Sequence, residues 1–177
     1  VISAGNTGAL LVIAKLNLKM IENIDKPALS ALWPNKKGMS VVLDLGANIE
    51  CNSKNLVDFS IIGASLYKSL YPKENPNVAL LNIGSEELKG NEIIKETFQK
   101  LNEKKSNNFN FSGYIEGNEL MNGEVNVIVS DGFTGNVALK TAEGTANFIT
   151  SELKKALSGN ILGKISSFLN ISNLKRF

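Results

Sequence analysis

One pattern occurs four times in the chain: a short apolar run, a loop of glycine and small polar residues, and then a run with helical periodicity. Such units predict parallel strands joined by right-handed crossovers, and they bring the loops after the strands to one edge of the sheet. We therefore predict an α/β fold in three layers, a mostly parallel sheet with helices on both faces. The four loops are residues 3–8, 44–48, 84–91 and 131–136.

Hydrophobic periodicity locates the elements around these loops. Short apolar runs predict strands buried on both faces, and apolar positions three or four residues apart predict helices. The predicted strands are 1–2, 39–45, 78–83, 109–115 and 125–129. An extended segment is predicted between Pro27 and Pro34, with Trp33 in the core or at an interface. The predicted helices are 9–21, 53–70 with Ser53 as its cap, 92–101 and 137–157. Their expected buried positions are Leu56, Val57, Ile61, Ala64 and Leu70 in the second helix, and Val137, Leu139, Ala142, Ala146, Phe148, Ile149 and Leu153 in the fourth.

Residue types that are scarce or missing exclude several classes of function. The 177 residues contain no histidine, so neither a Ser-His-Asp nor a Cys-His nucleophile can be assembled within them. The single Cys51 excludes an internal disulfide and a multi-cysteine metal site, and we predict neither a metal nor a cofactor. The one arginine, Arg176, excludes an arginine cluster around an anion. An anion would therefore be held by lysine, backbone N–H groups and small polar side chains.

Net charge and hydropathy limit which kinds of partner and which cellular location the sequence indicates. The net charge of +2 is too small to indicate a nucleic-acid partner, and no run combines aromatic and basic residues. No apolar run approaches the ~20 residues that span a bilayer, and there is no signal peptide, so we predict a cytoplasmic protein. Because the sequence begins without methionine and inside a predicted strand, we expect it to be a piece of a longer protein.

The four loops offer the groups that hold anions. Glycine lets backbone N–H groups approach a ligand, and the N-terminus of a helix attracts negative charge. The loop at 84–91 also carries a lysine, Lys89, inside its glycine frame. Structural roles compete with binding at each loop: Asn6 or Thr7 could cap a helix, and Asp44 could accept N–H bonds and fix its loop.

The last residues form a segment of a different kind. We predict an α/β core over residues 1–158 and a basic amphipathic helix over 159–177, where apolar residues at helical spacing lie among basic residues. These basic residues are Lys154, Lys155, Lys164, Lys175 and Arg176. Two interpretations fit this segment. It is either a surface or subunit-interface helix, or a helix lying on an anionic membrane surface at the inner face of the cell membrane.

Four motifs stand out: Ser3-Ala-Gly-Asn-Thr-Gly8, Leu43-Asp-Leu-Gly-Ala-Asn48, Leu80-Leu-Asn-Ile-Gly84 with Lys89-Gly-Asn91, and Asp131-Gly-Phe-Thr-Gly-Asn136 followed by Leu139-Lys-Thr-Ala-Glu-Gly144. In this order and spacing they resemble the bacterial phosphate acyltransferase (PlsX) family, over essentially the whole chain. The resemblance implies a fold similar to the isocitrate/isopropylmalate dehydrogenases and the phosphotransacetylases. It also implies transfer of a fatty acyl group from acyl-[acyl carrier protein] to inorganic phosphate for phospholipid synthesis, a homodimer, and peripheral membrane association.

The implied reaction assigns roles to the loop residues. Phosphate is already an anionic nucleophile, and a thiol with a pKa near ~8.5 is a tolerable leaving group, so a site without histidine can serve. Lys89 is the predicted cation for phosphate or for the oxyanion on the thioester carbonyl, and Asn136 the predicted donor to the same centre. Asp44 and Asp131 are predicted mainly to brace their loops. The predicted substrate- and phosphate-binding residues are Ser3, Gly5, Asn6, Thr7, Gly8, Asn48, Gly90, Asn91, Asp131, Gly132, Thr134 and Gly135.

Two other functions fit parts of the pattern. An oxidoreductase similar to isocitrate dehydrogenase would need arginines for the substrate carboxylates and an acidic metal cluster, and the sequence supplies neither. A non-catalytic scaffold that recruits acyl carrier protein or lipid-synthesis enzymes to the membrane would have no use for Lys89 and Asn136. A measurement of activity separates the scaffold from the enzyme.

Overall fold

The structure, a computed structural model, describes residues 7–72, 74–103 and 106–158, without the side chains of Thr7 and Ser158. The chain divides into two units, Val1–Ala138 and Leu139–Phe177, and the last helix begins in the first unit and ends in the second. The elements are α1 (Thr7–Asn17), β1 (Ser30–Asn35), β2 (Gly38–Leu43), α2 (Ser53–Leu70), β3 (Asn77–Asn82), α3 (Glu92–Glu103), β4 (Asn110–Glu116), a 3-10 turn (Gly117–Glu119), β5 (Val127–Val129) and α4 (Gly132–Ser158).

Five strands form one mixed sheet in the order β1-β2-β5-β3-β4. β2, β5, β3 and β4 run parallel, with Val42, Ile128 and Ala79 side by side. β1 is antiparallel to β2 because a tight turn at Lys36 and Lys37 returns the chain at once, and such hairpins join antiparallel strands. The predicted α/β class, a mostly parallel sheet flanked by helices, is confirmed. The predicted extended segment is the antiparallel edge strand β1.

The main hydrophobic core lies between the sheet and helices α2 and α3. Phe59 of α2 is fully buried against alternate residues of the central strands, since successive side chains of a strand point to opposite faces. α2 approaches β5 closely at Gly63, where an added Cβ would stand 2.5 Å from Val127 Cγ1. Residues of the opposite strand face, such as Val42 and Ile128, are also buried, so burial on both faces is confirmed for the central strands β2, β3 and β5. The strand residues of the main core are Val41, Leu43, Val78, Leu80, Val127 and Val129.

The cap of α2 differs from the predicted one. Asn52 Oδ1 accepts the Asn55 N–H at 2.9 Å, and Asn55 Oδ1 accepts the Asn52 N–H at 3.1 Å. Ser53 is therefore not the cap, and its hydroxyl accepts a hydrogen bond from Lys100 Nζ at 2.7 Å. The asparagine pair satisfies two backbone donors at once, which a serine cap cannot do without a partner side chain three residues later.

Several predicted buried positions are exposed in the described chain. In α2, Leu56 and Ala64 are buried and Val57 is half-buried, but Ile61 and Leu70 are exposed. The α4 positions are exposed at Val137, Ala146, Phe148, Ile149 and Leu153 and half-buried at Leu139 and Ala142. The predictions are wrong at the exposed positions, because helical periodicity reveals an apolar face but not whether anything covers it.

Other differences concern the ends of the chain. α1 ends at Asn17 and not at the predicted residue 21, and it exposes Val12, Ile13 and Leu16. Among the residues that the structure describes, no helix is long and apolar enough to cross a membrane. The predicted first strand at 1–2 and the amphipathic segment at 159–177 lie outside the described residues, and the predicted boundary after residue 158 stays a prediction.

Candidate active site

The carboxyl ends of β2, β5 and β3 lie side by side at one edge of the sheet, because these parallel strands are neighbours. The loops and helix starts that follow them therefore adjoin, as the repeated pattern predicts. Residues after all three strands line a cavity of about 460 Å³, among them Ile49, Glu50, Asn91, Ile93, Asp131 and Phe133. The fourth predicted loop lies outside the described residues except for Thr7 and Gly8, which begin α1.

Asp44, just after β2, is fully buried and organises the loop that follows it. Its Oδ1 accepts the backbone N–H groups of Leu29, Gly46 and Ala47 at 3.0, 3.1 and 2.9 Å. Its Oδ2 accepts both the backbone and the side-chain N–H of Asn48 at 2.7 Å. A carboxylate offers about four lone-pair sites, so these five bonds leave none for a ligand. The geometry therefore supports the predicted bracing role of Asp44.

Asn48 and Asn136 both hold this loop, but they differ in the donors that remain free. The Asn48 amide donates both N–H groups, to Pro27 O and Asp44 Oδ2, each at 2.7 Å. Asn136 Nδ2 donates to Leu45 O at 3.2 Å, and its second N–H has no partner among the described residues. Asn136 can therefore donate to a ligand, whereas Asn48 offers a ligand only its amide oxygen. The binding roles of both residues stay predictions.

α4 begins at Gly132, so the prediction that the stretch after Asp131 forms a loop is wrong. Asp131 caps the helix: Oδ1 accepts the Thr134 N–H at 2.8 Å, and Oδ2 accepts the Thr134 hydroxyl at 2.7 Å. The Gly132 N–H donates to Asn48 O at 2.8 Å. Of the first three helical N–H groups, only that of Phe133 has no partner within the described part of the chain. The predicted phosphate contacts of this turn stay predictions.

The two glycines in the first turn of α4 serve close packing instead of turn geometry. A Cβ at Gly132 would stand 2.5 Å from Asn48 O, and one at Gly135 would overlap Asp44 O. Glycine costs a helix roughly 1 kcal/mol relative to alanine, which is small beside such overlaps. The glycines therefore let the helix start lie directly on the loop after β2.

The loop after β3 presents Lys89 and is fastened by Asn82. Asn82 Nδ2 donates to Gly84 O and to Lys89 O, both at 3.1 Å. Gly90 has a φ of +93°, and a Cβ there would stand 2.5 Å from Asn82 Oδ1. The Lys89 side chain is exposed, and its ammonium forms no hydrogen bond or ion pair with any described residue. A fixed loop thus presents a positive charge that is available to an anion.

The N-terminus of α3 adds free donors next to Lys89. Asn91 Oδ1 accepts the Ile94 N–H at 2.9 Å and so caps the helix. The N–H groups of Glu92 and Ile93 have no partner among the described residues. Unpaired N–H groups at a helix start carry partial positive charge. This end of the loop therefore favours negative charge more than the start of α4 does.

The structure brings some predicted site residues together and leaves others apart. Asn91, Asp131 and Thr134 line the cavity of about 460 Å³. Lys89 and Asn136 follow different strands, no hydrogen bond joins them, and neither lines this cavity. The predicted residues Ser3, Gly5 and Asn6 lie outside the described residues.

Sequence reasoning missed three residues that shape the site. Asn82 fastens the Lys89 loop, and its signal is an asparagine at the end of a buried strand two residues before a glycine. Gly46 has a φ of +131°, and a Cβ there would stand 2.7 Å from Asn136 Nδ2. Lys26 Nζ donates to Glu50 O at 2.8 Å beside the cavity, and no motif surrounds it in the sequence.

The environment of Cys51 argues against a nucleophilic role. Burial raises the pKa of the Cys51 thiol, and the negative charges of Asp44 and Asp131 act in the same direction. A backbone hydrogen bond from Gly132 and the positive charge of Lys26 oppose this rise only in part. The thiolate is the reactive form of cysteine. A neutral thiol at neutral pH therefore agrees with the prediction that Cys51 is a spectator.

Comparisons with known proteins bear on this edge of the sheet. Residues 1–177 match the profile of a family described as "Fatty acid synthesis protein". The chain is 81% identical over 177 residues to "Phosphate acyltransferase" of Pelagibacter ubique (strain HTCC1062), covering 100% of this chain and 53% of that protein. It is 45% identical over 178 residues to the protein of the same name from Maricaulis maris (strain MCS10), covering 99% of this chain and 50% of that protein. The chain thus spans about half the length of these relatives.

A solved structure shares the fold. The EutD phosphotransacetylase from Staphylococcus aureus superimposes with a TM-score of 0.57 at 17% sequence identity, covering 76% of this chain and 46% of that one. At so low an identity the likeness establishes the fold alone. It agrees with the expected similarity to the phosphotransacetylase fold.

Proposed function

The chain belongs to the fatty acid synthesis protein family, and from this premise we propose that it is part of an enzyme that transfers a fatty acyl group from acyl-[acyl carrier protein] to inorganic phosphate. The product is an acyl phosphate for phospholipid synthesis. The observation that carries the proposal is the 81% identity to a phosphate acyltransferase over every residue of the chain. The family resemblance seen in the four motifs is confirmed by the same comparison.

The proposed reaction does not require a nucleophile from the protein. A phosphate oxygen forms a bond with the thioester carbonyl carbon, and a tetrahedral intermediate with a negatively charged oxygen results. The C–S bond then breaks, and the pantetheine thiolate leaves with the electron pair and takes a proton from solvent. No covalent intermediate with the protein is required, which suits a chain whose buried Cys51 has a raised pKa.

The protein's contribution is to position phosphate and to stabilise the oxyanion. The ammonium of Lys89 supplies the cation, and the free N–H groups at the start of α3 support a negative charge nearby. The free amide N–H of Asn136 donates to the same centre. Loss of one preorganised donor of this kind costs roughly 10²–10³ in rate.

The experiment uses the protein at the full length of its relatives. Acyl-[acyl carrier protein] and phosphate are supplied, and the acyl phosphate is trapped with hydroxylamine. The wild type should form acyl hydroxamate, Asn136→Ala should form it roughly 10²–10³ times more slowly, and Asn147→Ala, an exposed asparagine of α4, should match the wild type. If the wild type forms no hydroxamate, the activity is excluded and the scaffold alternative stands.

The assembly and the location belong to the same proposal. We expect a homodimer, and we expect residues 159–177 to lie on the anionic inner surface of the membrane, because their sequence is basic and amphipathic. Co-sedimentation with anionic vesicles should fall for Phe168→Glu, since a charge on the apolar face opposes insertion. Equal co-sedimentation of variant and wild type would leave only an interface role for the segment.

A further inference from the structure

The cavity beside the candidate site has the wrong charge for phosphate. The charged side chains that line it, Glu50 and Asp131, are both acidic. Lys26 bonds to the backbone of Glu50 but is not part of the lining. A phosphate dianion in this cavity would meet two carboxylates and no lysine. We therefore place the phosphate of the proposed reaction near Lys89, and we expect a neutral group to bind in the cavity.

The same cavity is bordered by apolar side chains that the fold leaves exposed. Ile49 is 71% exposed, Phe133 63% and Ile93 38%, and they come from the loop after β2, the start of α4 and the start of α3. Leu56 and Ile94 are buried and complete the apolar lining. Apolar side chains from three separate elements around one cavity mark a binding site more than chance exposure does.

We infer that this cavity binds the acyl chain of the thioester substrate, with Ile49, Ile93 and Phe133 in contact with the chain. The inference rests on the proposed function. The volume of about 460 Å³ falls in the range of roughly 300–1,000 Å³ that is usual for small-molecule sites. Asn91 caps α3 through its oxygen, so its side-chain N–H groups, which have no partner among the described residues, supply a neutral donor in the same lining that suits the thioester carbonyl.

A second cavity, with a more apolar lining than the first, is a competing location for an acyl chain. It has a volume of about 240 Å³ and lies between α1, the segment after it and Ile62 of α2. No predicted site residue lines it, whereas three line the larger cavity. Lys15 and Lys19 stand at its lining and would suit an anionic partner, so we place the neutral chain in the larger cavity.

The test compares substrates of different chain length on variants of the full-length protein. Phe133→Ala removes chain contacts, and Ile93→Trp fills the cavity. Each should lower kcat/KM for long acyl chains by about tenfold or more, since each buried methylene is worth about fourfold, and should leave short chains within about twofold. Phe148→Ala, which changes a phenylalanine of similar exposure on α4, should leave kcat/KM unchanged for both long and short chains. An equal loss for all chain lengths would overturn the inference.

A binding measurement separates this inference from the proposed activity. Unreactive S-alkyl pantetheine thioethers of increasing length are titrated into wild type, Phe133→Ala and Leu18→Ala, which lines the smaller cavity. Affinity should rise with chain length for wild type and Leu18→Ala and should rise less for Phe133→Ala, even if no acyl phosphate is formed. If Leu18→Ala alone loses the length dependence, the chain binds in the smaller cavity and the inference is wrong.

Discussion

The loops after β2 and β3 lie at the same edge of one sheet, yet their charged residues differ in burial and in hydrogen bonding. Asp44 in the first loop is fully buried, and its carboxylate accepts five hydrogen bonds. Lys89 in the second loop is exposed, and its ammonium has no partner among the described residues. The Asp44 carboxylate is thus enclosed by its own loop, whereas the Lys89 ammonium is exposed to solvent.

Burial and hydrogen bonding distinguish a charged residue that braces a loop from one that is available to bind a ligand. A buried charge is tolerated only when hydrogen bonds replace the lost water, so Asp44 is committed to the fold. A charge in water needs no such compensation and stays available to a ligand. The backbone of the Lys89 loop is nevertheless fixed, because Asn82 bonds to both ends of it. A free charge on a fastened loop is the arrangement that preorganised stabilisation requires.

The largest effect on stability is expected from removing the buried carboxylate of Asp44. Asp44→Ala should lower the free energy of unfolding by about 3–5 kcal/mol, because several buried N–H groups lose their acceptor at once. Asp131→Ala, which removes only a helix cap, should cost about 1 kcal/mol. Urea denaturation of both variants measures the difference. Similar losses for the two would show that the buried network is not what holds the loop.

A smaller effect is expected at Asn82, which we assign as a positioning residue. Asn82→Ala should raise the KM for phosphate about tenfold with a smaller change in kcat, since Lys89 is then held less firmly, and two neutral hydrogen bonds of about 1 kcal/mol each are lost. Backbone amides of residues 84–90 should exchange with deuterium faster. Asn75→Ala, which breaks an exposed side-chain bond, is the control. An unchanged KM with faster exchange would remove Lys89 from phosphate binding.

The sheet and its edge could be predicted from sequence because they depend on local patterns. Apolar runs at 39–45, 78–83 and 125–129 became β2, β3 and β5, and the loops after them adjoin as predicted. The start of α4 could not be predicted in the same way. Glycines at 132 and 135 indicate a turn locally, and only the contacts with Asn48 and Asp44 show that they serve close packing.

The sequence also could not show which side-chain N–H groups of Asn48 and Asn136 have no partner among the described residues. Asn48 and Asn136 look equivalent in the motifs, but Pro27, which lies 21 residues before Asn48, takes one of the donors of Asn48. Likewise, the exposed Phe148 occupies a helical position that is typical of a core. Long-range contacts decide both cases, and a local pattern contains no information about them.

The proposed acyl transfer depends most on Lys89, whose ammonium has no partner among the described residues. The most direct measurement compares Lys89→Ala with Lys68→Ala, a lysine in the last turn of α2 that has no ion-pair partner among the described residues, by hydroxylamine trapping and thermal unfolding of the full-length protein. We expect the rate of acyl phosphate formation to fall roughly 10²–10³-fold in Lys89→Ala with an unchanged unfolding midpoint, while Lys68→Ala keeps the wild-type rate. Wild-type turnover in Lys89→Ala would contradict this dependence on Lys89.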